Sequence, residues 1–365
     1  MRFELEQYSH PDFSVSALQD APDAALLPAP LDGVAPEGFH ATTIFPEYFK
    51  VKGSWLLAEE SRMDCAAVYE QGNIVVRELR LLKKGDLVFS ARSEDGQDGI
   101  YVHANGFGDA PSASQERFAF RQGRSRETAF SMDYDFLYEQ LNYEREHGYI
   151  VWVAGPACTF DADSRTAFAR LCEHGFVHAL LAGNALAVHD LEAAYKQSAL
   201  GQDIYTQASY PLGHYNHLDT INEVRKAGSI SAFLKQEGIQ DGIMYHCDKA
   251  GIPYVLAGSI RDDGPLPEVH TDACAAQDAM RVHIRKATTL ICMATTLHSI
   301  AAGNIAPSFR VQPDGTIRQV YFYMVDISEF ATNKLSDRGS LSARSIITNV
   351  QDFLVHTSKN LVPQT

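Results

Sequence analysis

Charged residues that could take part in catalysis are concentrated in the segment GSIRDDGPLPEVHTD, residues 258–272, directly after an apolar run. Arg261, Asp262 and Asp263 follow one another there. Carboxylates accept hydrogen bonds from hydroxyl groups, and arginine binds carboxylate or phosphate through two parallel hydrogen bonds. The segment could therefore bind ribose or substrate, and its composition is equally typical of a solvated surface loop.

A second polar group lies in the first third of the chain, where the string SRMDC places Arg62, Asp64 and Cys65 together. This group indicates either a salt bridge at the end of a strand or a site that binds the ionic groups of an amino acid. The histidines are not spaced as a metal-binding set, and the six cysteines form no C-x-x-C pair. We therefore expect no bound metal.

Small or polar residues follow the apolar runs of the second half, where backbone amides could approach a ligand. Gly155-Pro156-Ala157 and Gly183-Asn184-Ala185 follow two runs, Gly258-Ser259 a third, and a fourth leads to His298, Ser299, Gly303 and Asn304. Asp326 ends the run VYFYMVD, at the position where an acidic residue commonly binds a ribose hydroxyl. Because the G-x-G-x-x-G fingerprint is absent, we expect a variant nucleotide crevice.

The elements that carry these residues alternate between apolar runs and helical patterns from about Tyr149 onward. YIVWVAG, VHALLAG, IPYVLAG, TTLICMA and VYFYMVDIS are typical of buried parallel strands, and DLEAAYKQSALG is typical of a helix. Repeated units of this kind predict an α/β fold with a parallel, Rossmann-like sheet and a ligand at the carboxyl ends of its strands.

The first part of the chain shows a different pattern, with short alternating runs such as NIVVREL and LVFSAR between turn-forming segments. This pattern predicts a smaller, β-rich domain. The Pro- and Gly-rich stretch LLPAPLDGVAPEG is expected to wrap the surface before the first strand. We place a β-rich substrate or cap domain at residues 1–125 and the Rossmann-like domain at residues 126–365.

Charge and composition exclude several classes of function. A formal net charge of −15 argues against general nucleic-acid binding. No stretch reaches the roughly 20 apolar residues of a membrane span, and the acidic N-terminus is unlike a signal peptide. Scattered cysteines are typical of reduced thiols, so we expect a soluble cytoplasmic enzyme.

Six distinctive strings lie between about Gly38 and about Leu354, namely GFHATT, SRMDC, LLAGNALAVHDLEAAY, PYVLAGSIRDDGPLPEV, LHSIAAGN and KLSDRGS. They resemble the archaeal-type ornithine cyclodeaminases and the C-terminal module of cyanobacterial arginine dihydrolase/ornithine cyclodeaminase proteins. The same module is known as a region conserved in relatives of lysine-ketoglutarate reductase/saccharopine dehydrogenase.

The resemblance implies a Rossmann-like domain of the deoxyhypusine-synthase type that binds NAD. It also implies a small amino-acid substrate and a homo-oligomer. The cofactor positions that it implies are Gly155, Pro156, Asn184, Ala185, Ser259, Asp262, Ser299, Asn304, Asp326, Asp337, Arg338 and Gly339. The catalytic lysine of the unrelated, crystallin-like ornithine cyclodeaminases cannot be transferred to this chain.

The implied activity converts ornithine, or a related diamino acid, to proline or a cyclic imino acid with release of ammonia. Arg62 is then assigned to the substrate carboxylate and Asp64 to an ammonium group or proton transfer, with Asp262 and His298 as further acid–base candidates. One departure concerns the substrate. The family pattern continues with Asn-His after the two threonines of GF-x-x-TT, whereas this chain has Ile44-Phe45.

Two other interpretations remain open. One is an NAD(P)-dependent amino-acid or imine oxidoreductase of the opine or lysine-pathway type, which would consume or produce NAD(P)H stoichiometrically. The other is an NAD-binding regulatory module without activity, which would turn over no diamino acid.

Overall fold

The structure, a computed structural model, describes residues 3–60, 62–107, 130–262, 264–328 and 341–363. Its central element is a seven-stranded sheet with the order β13-β12-β9-β8-β14-β17-β18, in which every neighbouring pair is parallel. The predicted α/β fold with a parallel sheet is therefore confirmed. The strands of the described residues are β1 Ala25–Pro28, β2 Glu47–Val51, β3 Ser54–Leu57, β4 Ala66–Glu70, β5 Asn73–Arg77, β6 Leu87–Ser90, β7 Ile100–Val102, β8 Ile150–Ala154, β9 Ala179–Gly183, β10 Ser198–Ala199, β11 Gln202–Asp203, β12 Tyr254–Ala257, β13 Val269–His270, β14 Thr289–Met293, β15 Phe309–Val311, β16 Ile317–Gln319, β17 Tyr321–Asp326 and β18 Ser342–Ile347. The helices are α1 Ser16–Gln19, α2 Phe130–His147, α3 Ala162–Glu173, α4 Asn184–Lys196, α5 His214–Ala227, α6 Ile230–Gln236, α7 Ile243–Ala250, α8 Ala273–Ile284, α9 Thr296–Ile305 and α10 Val350–Leu361.

The strands of the parallel sheet are apolar on both faces because helices cover both. In β8, Ile150 and Trp152 belong to one hydrophobic core, while Val151 and Val153 belong to the other. This alternation follows from the two-residue period of a strand. The first core also contains residues of α3, α4, α7 and α10, and the second contains residues of α8 and α9.

The connections that leave β8 and β14 run toward opposite ends of the sheet. From β8 the chain passes through α3 to β9, its neighbour on one side. From β14, the neighbour of β8 on the other side, it passes through α9 to β17. Two neighbouring strands whose connections part in this way leave a crevice at their carboxyl ends, which is where open α/β sheets bind ligands.

Two antiparallel sheets form the N-terminal part, with the orders β1-β6-β4-β5 and β3-β2-β7. The prediction that LLPAPLDGVAPEG precedes the first strand is wrong, because Leu26, Leu27 and Pro28 belong to β1 and pair with β6. Pro28 is tolerated because β1 is an edge strand, where a missing N–H donor interrupts no ladder. The sequence signal for a turn was local, whereas the pairing with β6 is long-range.

Helix α4 ends earlier than the pattern DLEAAYKQSALG predicts. Its last residue is Lys196, and Gln197 adopts a left-handed conformation with φ 55°. The residues that follow form the hairpin β10–β11 instead of a further helical turn. The hairpin is held against α4 by Glu192, which accepts hydrogen bonds from Ser198 Oγ (2.7 Å) and the backbone N–H of Gly201 (3.3 Å).

Asp190 joins three helices of the first core. Its carboxylate is fully buried on α4 and accepts hydrogen bonds from Arg165 Nε on α3 (2.6 Å). It also accepts from the backbone N–H groups of Ile243 (3.0 Å) and Met244 (2.8 Å), at the N-terminus of α7. A negative charge at a helix N-terminus is favourable, and the arginine balances its burial.

We expect Asp190→Asn to lower the free energy of unfolding by about 3–5 kcal/mol. Arg165 would keep only the exposed Asp241 as a charged partner, and one of the donors around Asp190 would face an amide nitrogen. Urea denaturation followed by circular dichroism measures the change. Asp219→Asn, which removes an exposed carboxylate of α5, serves as the control and should change the free energy of unfolding by less than about 0.5 kcal/mol. Equal stabilities of the two variants would contradict the role given to Asp190.

Candidate functional site

At the base of the crevice between β8 and β14, the backbone segments that follow the two strands lie very close together. The N–H of Gly155 donates to the carbonyl of Met293 at 2.9 Å. A Cβ atom at position 155 would overlap the carbonyl oxygen of Ala294, so only glycine fits there. Ala294 itself adopts a left-handed conformation with φ 54°, which is uncommon for a residue with a side chain. Strain of this kind is concentrated at ligand sites.

A cavity of about 170 Å³ opens beside this contact, at the carboxyl ends of β8, β14 and β17. Gln351 Nε2 donates to the carbonyl of Ala157 at 2.8 Å and so fixes the N-terminus of α10 against the segment after β8. Asp326 contributes the carboxylate of the cavity. Small walls, a strand-end carboxylate and a helix N-terminus together suit a ribose and a phosphate. The lining residues are Ala157, Ala294, Asp326, Ile327, Asn349, Val350 and Gln351.

A second cluster lies farther along the same edge of the sheet, where His298 of α9 packs over the end of β9. A Cβ atom at Gly183 would lie 2.9 Å from His298 Cε1, so the ring rests directly on the backbone of Gly183. Thr295 Oγ1 lies 3.4 Å from His298 Nδ1. Burial lowers the pKa of His298, and the negative charge of Asp262 opposes this shift. The ring is therefore neutral at pH 7 and able to accept a proton.

Asp262 and Ser259 organise the loop that follows β12. Asp262 Oδ2 accepts from the N–H of Ser259 at 2.7 Å, and Ser259 Oγ accepts from the N–H of Arg261 at 3.2 Å. The same loop is tied to α4, because Asn184 Oδ1 accepts from the N–H of Leu266 at 3.1 Å. These side chains thus determine the conformation of the loop. Because Asn184 uses its Oδ1 atom in this contact, its amide nitrogen is the atom that could donate a hydrogen bond to a ligand.

Some of the predicted cofactor residues are not open to a ligand at this edge. Ser299 is fully buried, with its hydroxyl group against the thiol of Cys292. Asn304 is exposed. It follows Thr296, the first residue of α9, by eight positions, so it lies about 12 Å along the helix axis from the start of the helix. Asp337, Arg338 and Gly339 lie outside the described residues.

Arg62 is buried where the N-terminal part meets α8 and α9. Its Nη2 donates to Glu78 Oε1 (2.8 Å) and to Cys65 Sγ (3.0 Å), and its Nη1 to the carbonyl of Ile305 (3.4 Å). Arg281 of α8 binds the same oxygen of Glu78. Burial tends to raise the pKa of Glu78, but the hydrogen bonds and charges of Arg62 and Arg281 lower it overall. The salt-bridge interpretation of the SRMDC string therefore describes this structure.

Asp64 lies close to Arg62 in sequence but faces outward. It is exposed and has φ 65°, and its N–H donates to the carbonyl of Thr42 at 3.0 Å. Thr42 Oγ1 also donates to the carbonyl of Arg62, so the loops GFHATT and SRMDC are bound together. The half-buried Ile44 lies at the same junction, where its carbonyl accepts from Ser308 Oγ.

The structure thus brings the predicted residues together in two sets. His298, Asp262 and Asp326 lie at the carboxyl edge of the sheet, whereas Arg62 contacts Ile305 at the far end of α9. Seven residues separate His298 from Ile305, which corresponds to about 10 Å along the helix axis. Within one chain the two sets share a helix without touching.

Two carboxylates with structural roles were not predicted from the sequence. Glu192 is fully buried and accepts from His189 Nδ1 at 2.8 Å, and the half-buried Glu78 joins the N-terminal part to α8. A charged residue inside the apolar string LAVHDLEAAY was the available signal for Glu192, because buried charges require partners. Glu78 gave no comparable signal.

Within the described ranges, no group of three His, Cys, Asp or Glu side chains is placed to hold a metal ion. The helices of those ranges include none whose length and apolar character would suffice to cross a membrane.

These features define the chain as an α/β protein with a Rossmann-like sheet and a nucleotide crevice at its switch point. Residues 137–357 match the family model described as arginine dihydrolase ArgZ-like, C-terminal, Rossmann fold. The ornithine cyclodeaminase of Methanopyrus kandleri is 38% identical over 93% of this chain and 78% of its own length. The chain therefore belongs to this family, which includes archaeal proteins named ornithine cyclodeaminase.

Solved structures of proteins from the same family superimpose on this chain. A conserved LOR/SDH protein from Methanococcus maripaludis superimposes with a TM-score of 0.81 at 36% identity and covers 93% of this chain and 98% of that one. The bifunctional arginine dihydrolase/ornithine cyclodeaminase of Nostoc is 34% identical, and the match spans 47% of its length. The ternary complex of AgrE with ornithine and NAD⁺ matches with a TM-score of 0.56 at 33% identity, covering 94% of this chain and 46% of that one.

Asp326→Ala is expected to weaken NAD binding about 10- to 150-fold, because a charged hydrogen bond to a ribose hydroxyl contributes about 1.5–3 kcal/mol. Isothermal titration calorimetry with NAD measures the change. Asp352→Asn removes an exposed carboxylate from the first turn of α10 outside the cavity lining, and it should leave the dissociation constant unchanged. A normal affinity in Asp326→Ala would remove this residue from the cofactor site.

Proposed function

We propose that this chain is an NAD-dependent ornithine cyclodeaminase that converts L-ornithine to proline and ammonia. Its membership of a family with relatives of that name supports the proposal. The observation that carries it is the crevice at the switch point, where Gly155, Ala294 and Asp326 suit a dinucleotide and the neutral His298 lies along the same edge. We further propose that residues 126–365 form the NAD-binding domain and residues 1–125 the substrate or cap domain.

The described residues fit NAD. The contact of Gly155 with Ala294 admits no side chain, and the cavity beside it places a carboxylate next to the N-terminus of α10. Gly155, Pro156, Asn184, Ser259 and Asp326 would hold the cofactor. When bound, NAD takes up a hydride from the substrate and returns it later in the same cycle, so that no reduced cofactor accumulates.

His298 supplies the proton transfer that this reaction requires. The α-ammonium group of ornithine must lose a proton before hydride can leave its carbon atom. Because burial lowers the pKa of His298, its ring is unprotonated at neutral pH. Asp262 is close enough to influence that pKa, and its negative charge would stabilise the imidazolium ion that forms.

Arg62 and Asp64 are proposed to bind the ionic groups of the substrate. Because about 10 Å of α9 separates His298 from the contact of Arg62 with Ile305, one ornithine can meet both sets only if they come closer together than in this structure or belong to different chains. Arg62 donates through its Nη atoms to Glu78 and Ile305, while its buried Nε has no hydrogen-bond partner among the described residues. This buried Nε is the donor that we propose for the substrate carboxylate, which can reach it only if the surrounding side chains move. Asp64 is exposed beside it and could bind an ammonium group.

An NAD(P)-dependent amino-acid or imine oxidoreductase with a different substrate is the second candidate. The half-buried Ile44 and Phe45 favour it, because they place apolar side chains in the loop that is bonded to the SRMDC segment. A less polar substrate would suit this surface better than ornithine does. The two activities differ in their use of cofactor, which provides the test.

Incubation with L-ornithine and NAD is expected to release one ammonia for each proline formed, with no lasting increase in NADH absorbance. Ammonia, product mass and absorbance are followed together. Asp64→Asn should raise KM at least about tenfold, since it removes one ionic contact to the substrate. Asn also tolerates the left-handed backbone at this position. Stoichiometric NADH, or turnover of other amino acids alone, would favour the second candidate.

The pH dependence tests His298. As the proton acceptor it must be neutral, and its pKa lies below the ordinary value of 6.5, so kcat/KM should stay constant down to about pH 6.5 and fall only in more acidic solution. His298→Gln should lower kcat about 10²- to 10⁴-fold and abolish this acidic limb. Rates between about pH 5 and about pH 8 provide the measurement. His174→Gln, at an exposed position at the end of α3, is the control. An unchanged limb in His298→Gln would assign the base elsewhere.

A further inference from the structure

Glu47 is a fully buried carboxylate that binds the GFHATT loop from the first position of β2. Its Oε2 atom accepts from Nε2 of the buried His40 at 3.0 Å. Its Oε1 atom accepts from the backbone N–H of Thr43. The side chain therefore holds the loop at two points.

Burial of this carboxylate has a cost that a simple packing contact would not require. In the described part of the chain its ion-pair partner is a histidine, His40, and a buried charge is costly without good partners. A hydroxyl or amide side chain could also accept a hydrogen bond from Thr43. The advantage of a carboxylate is that its bonds to N–H groups are roughly twice as strong as those of a neutral acceptor. Glu47 thus indicates that the position of Thr43 is fixed firmly.

The strand that carries Glu47 provides a fixed base for this contact. The carbonyl of Glu47 accepts from the N–H of Ala58 at 3.0 Å, and Glu47 pairs with Val102 of β7. Strand β2 lies at the centre of its sheet, with β3 on one side and β7 on the other. Because core strands are among the last parts of a domain to open, the loop is held against a stable part of the N-terminal sheets.

Thr42 extends this constraint from Thr43 to the SRMDC segment. The carbonyl of Thr42 accepts from the N–H of Asp64 at 3.0 Å, and its Oγ1 atom accepts from the N–H of Cys65 at 3.2 Å. The N–H of Thr42 donates to the carbonyl of Cys65 at 2.9 Å. Three hydrogen bonds with one threonine therefore determine where the backbone of Asp64 lies.

Asp64 depends on these bonds more than Arg62 does. Asp64 is exposed and has φ 65°, a backbone conformation that is uncommon for a residue with a side chain. The guanidinium group of Arg62 is instead held directly by Glu78 and by the carbonyl of Ile305. A shift of the GFHATT loop would therefore displace the carboxylate of Asp64 and leave the guanidinium group of Arg62 in place.

We propose that Glu47 is a positioning residue for Asp64, which acts through Thr43 and Thr42 without touching the substrate. The proposal rests on the proposed function, because it takes Asp64 as the group that binds the substrate ammonium. A binding group contributes fully only when it is placed accurately. Loss of Glu47 should therefore weaken substrate binding and leave the cofactor cavity, which lies at the carboxyl ends of β8, β14 and β17, unchanged.

Steady-state kinetics of the full chain with L-ornithine and NAD test this proposal. Glu47→Ala should raise KM about tenfold and leave kcat within about twofold, because it weakens ground-state and transition-state binding alike. Glu47→Gln retains an acceptor for Thr43 and should restore KM to within about threefold of the wild-type value. General loss of folded protein would instead lower kcat and leave KM unchanged. Val88→Ala, which truncates a fully buried residue of β6, is the control for that pattern.

A double-mutant cycle distinguishes a role through Asp64 from an independent one. If Glu47 acts through Asp64, Glu47→Ala should change KM by less than about twofold in the Asp64→Asn background. Glu47→Asp keeps the charge and shortens the side chain by one methylene group. It replaces Glu47→Ala in the cycle if that variant does not fold, and it should raise KM about threefold. Calorimetric titration with NAD should give the same dissociation constant for all of these variants.

A normal KM in Glu47→Ala, or KM effects of Glu47→Ala and Asp64→Asn that multiply independently, would overturn the positioning role. The proposed function fails separately, if the wild-type chain does not convert ornithine to proline and ammonia. The cycle is then run with the amino acid that the chain does turn over, and the same outcomes apply. A chain that acts on no amino acid would overturn both proposals.

Discussion

The constraint on which the rest of the structure depends lies where β8 and β14 end and their connections separate. The connections from β8 and β14 cover opposite faces of the sheet, and Gly155 packs against Ala294 where the two strands end. The contact requires a residue without a side chain at one position and a left-handed backbone at the other. The cavity lies beside this contact, and α9 begins two residues after Ala294.

Arg62 illustrates how structure and function compete for one side chain. Its ion pair with Glu78, shared by Arg281, attaches the N-terminal part to α8. Buried ion pairs contribute little net stability, but removing one partner is costly because the other charge remains buried. An arginine held in this way has a fixed orientation, and its Nε is directed by the same contacts. Rigid placement of a donor is what a substrate-binding group needs.

The sequence contained enough information to predict the parallel sheet and its ligand-binding edge. YIVWVAG and TTLICMA are continuous apolar runs that end in small residues. Runs of this kind are typical of buried parallel strands, which have helices on both faces. Side-chain direction could not be predicted in the same way. Ser299 follows His298 directly, yet one is buried against Cys292 and the other lies over Gly183, because adjacent residues of a helix point about 100° apart. The early end of α4 at Gln197 depends on Glu192, which binds the hairpin from within the helix.

The bond between Gln351 Nε2 and the carbonyl of Ala157 has a consequence for how the protein folds during synthesis. It joins residues 194 positions apart in the sequence, and α10 supplies a wall of the cavity that the other strand ends cannot supply. Such long-range contacts form slowly because their loops must close first. While residue 351 is still within the ribosome, the earlier strands can pair and pack, but the nucleotide cavity has no closing wall. The cavity is complete only once α10 has packed, so a ligand that needs this wall binds after most of the hydrophobic core has formed.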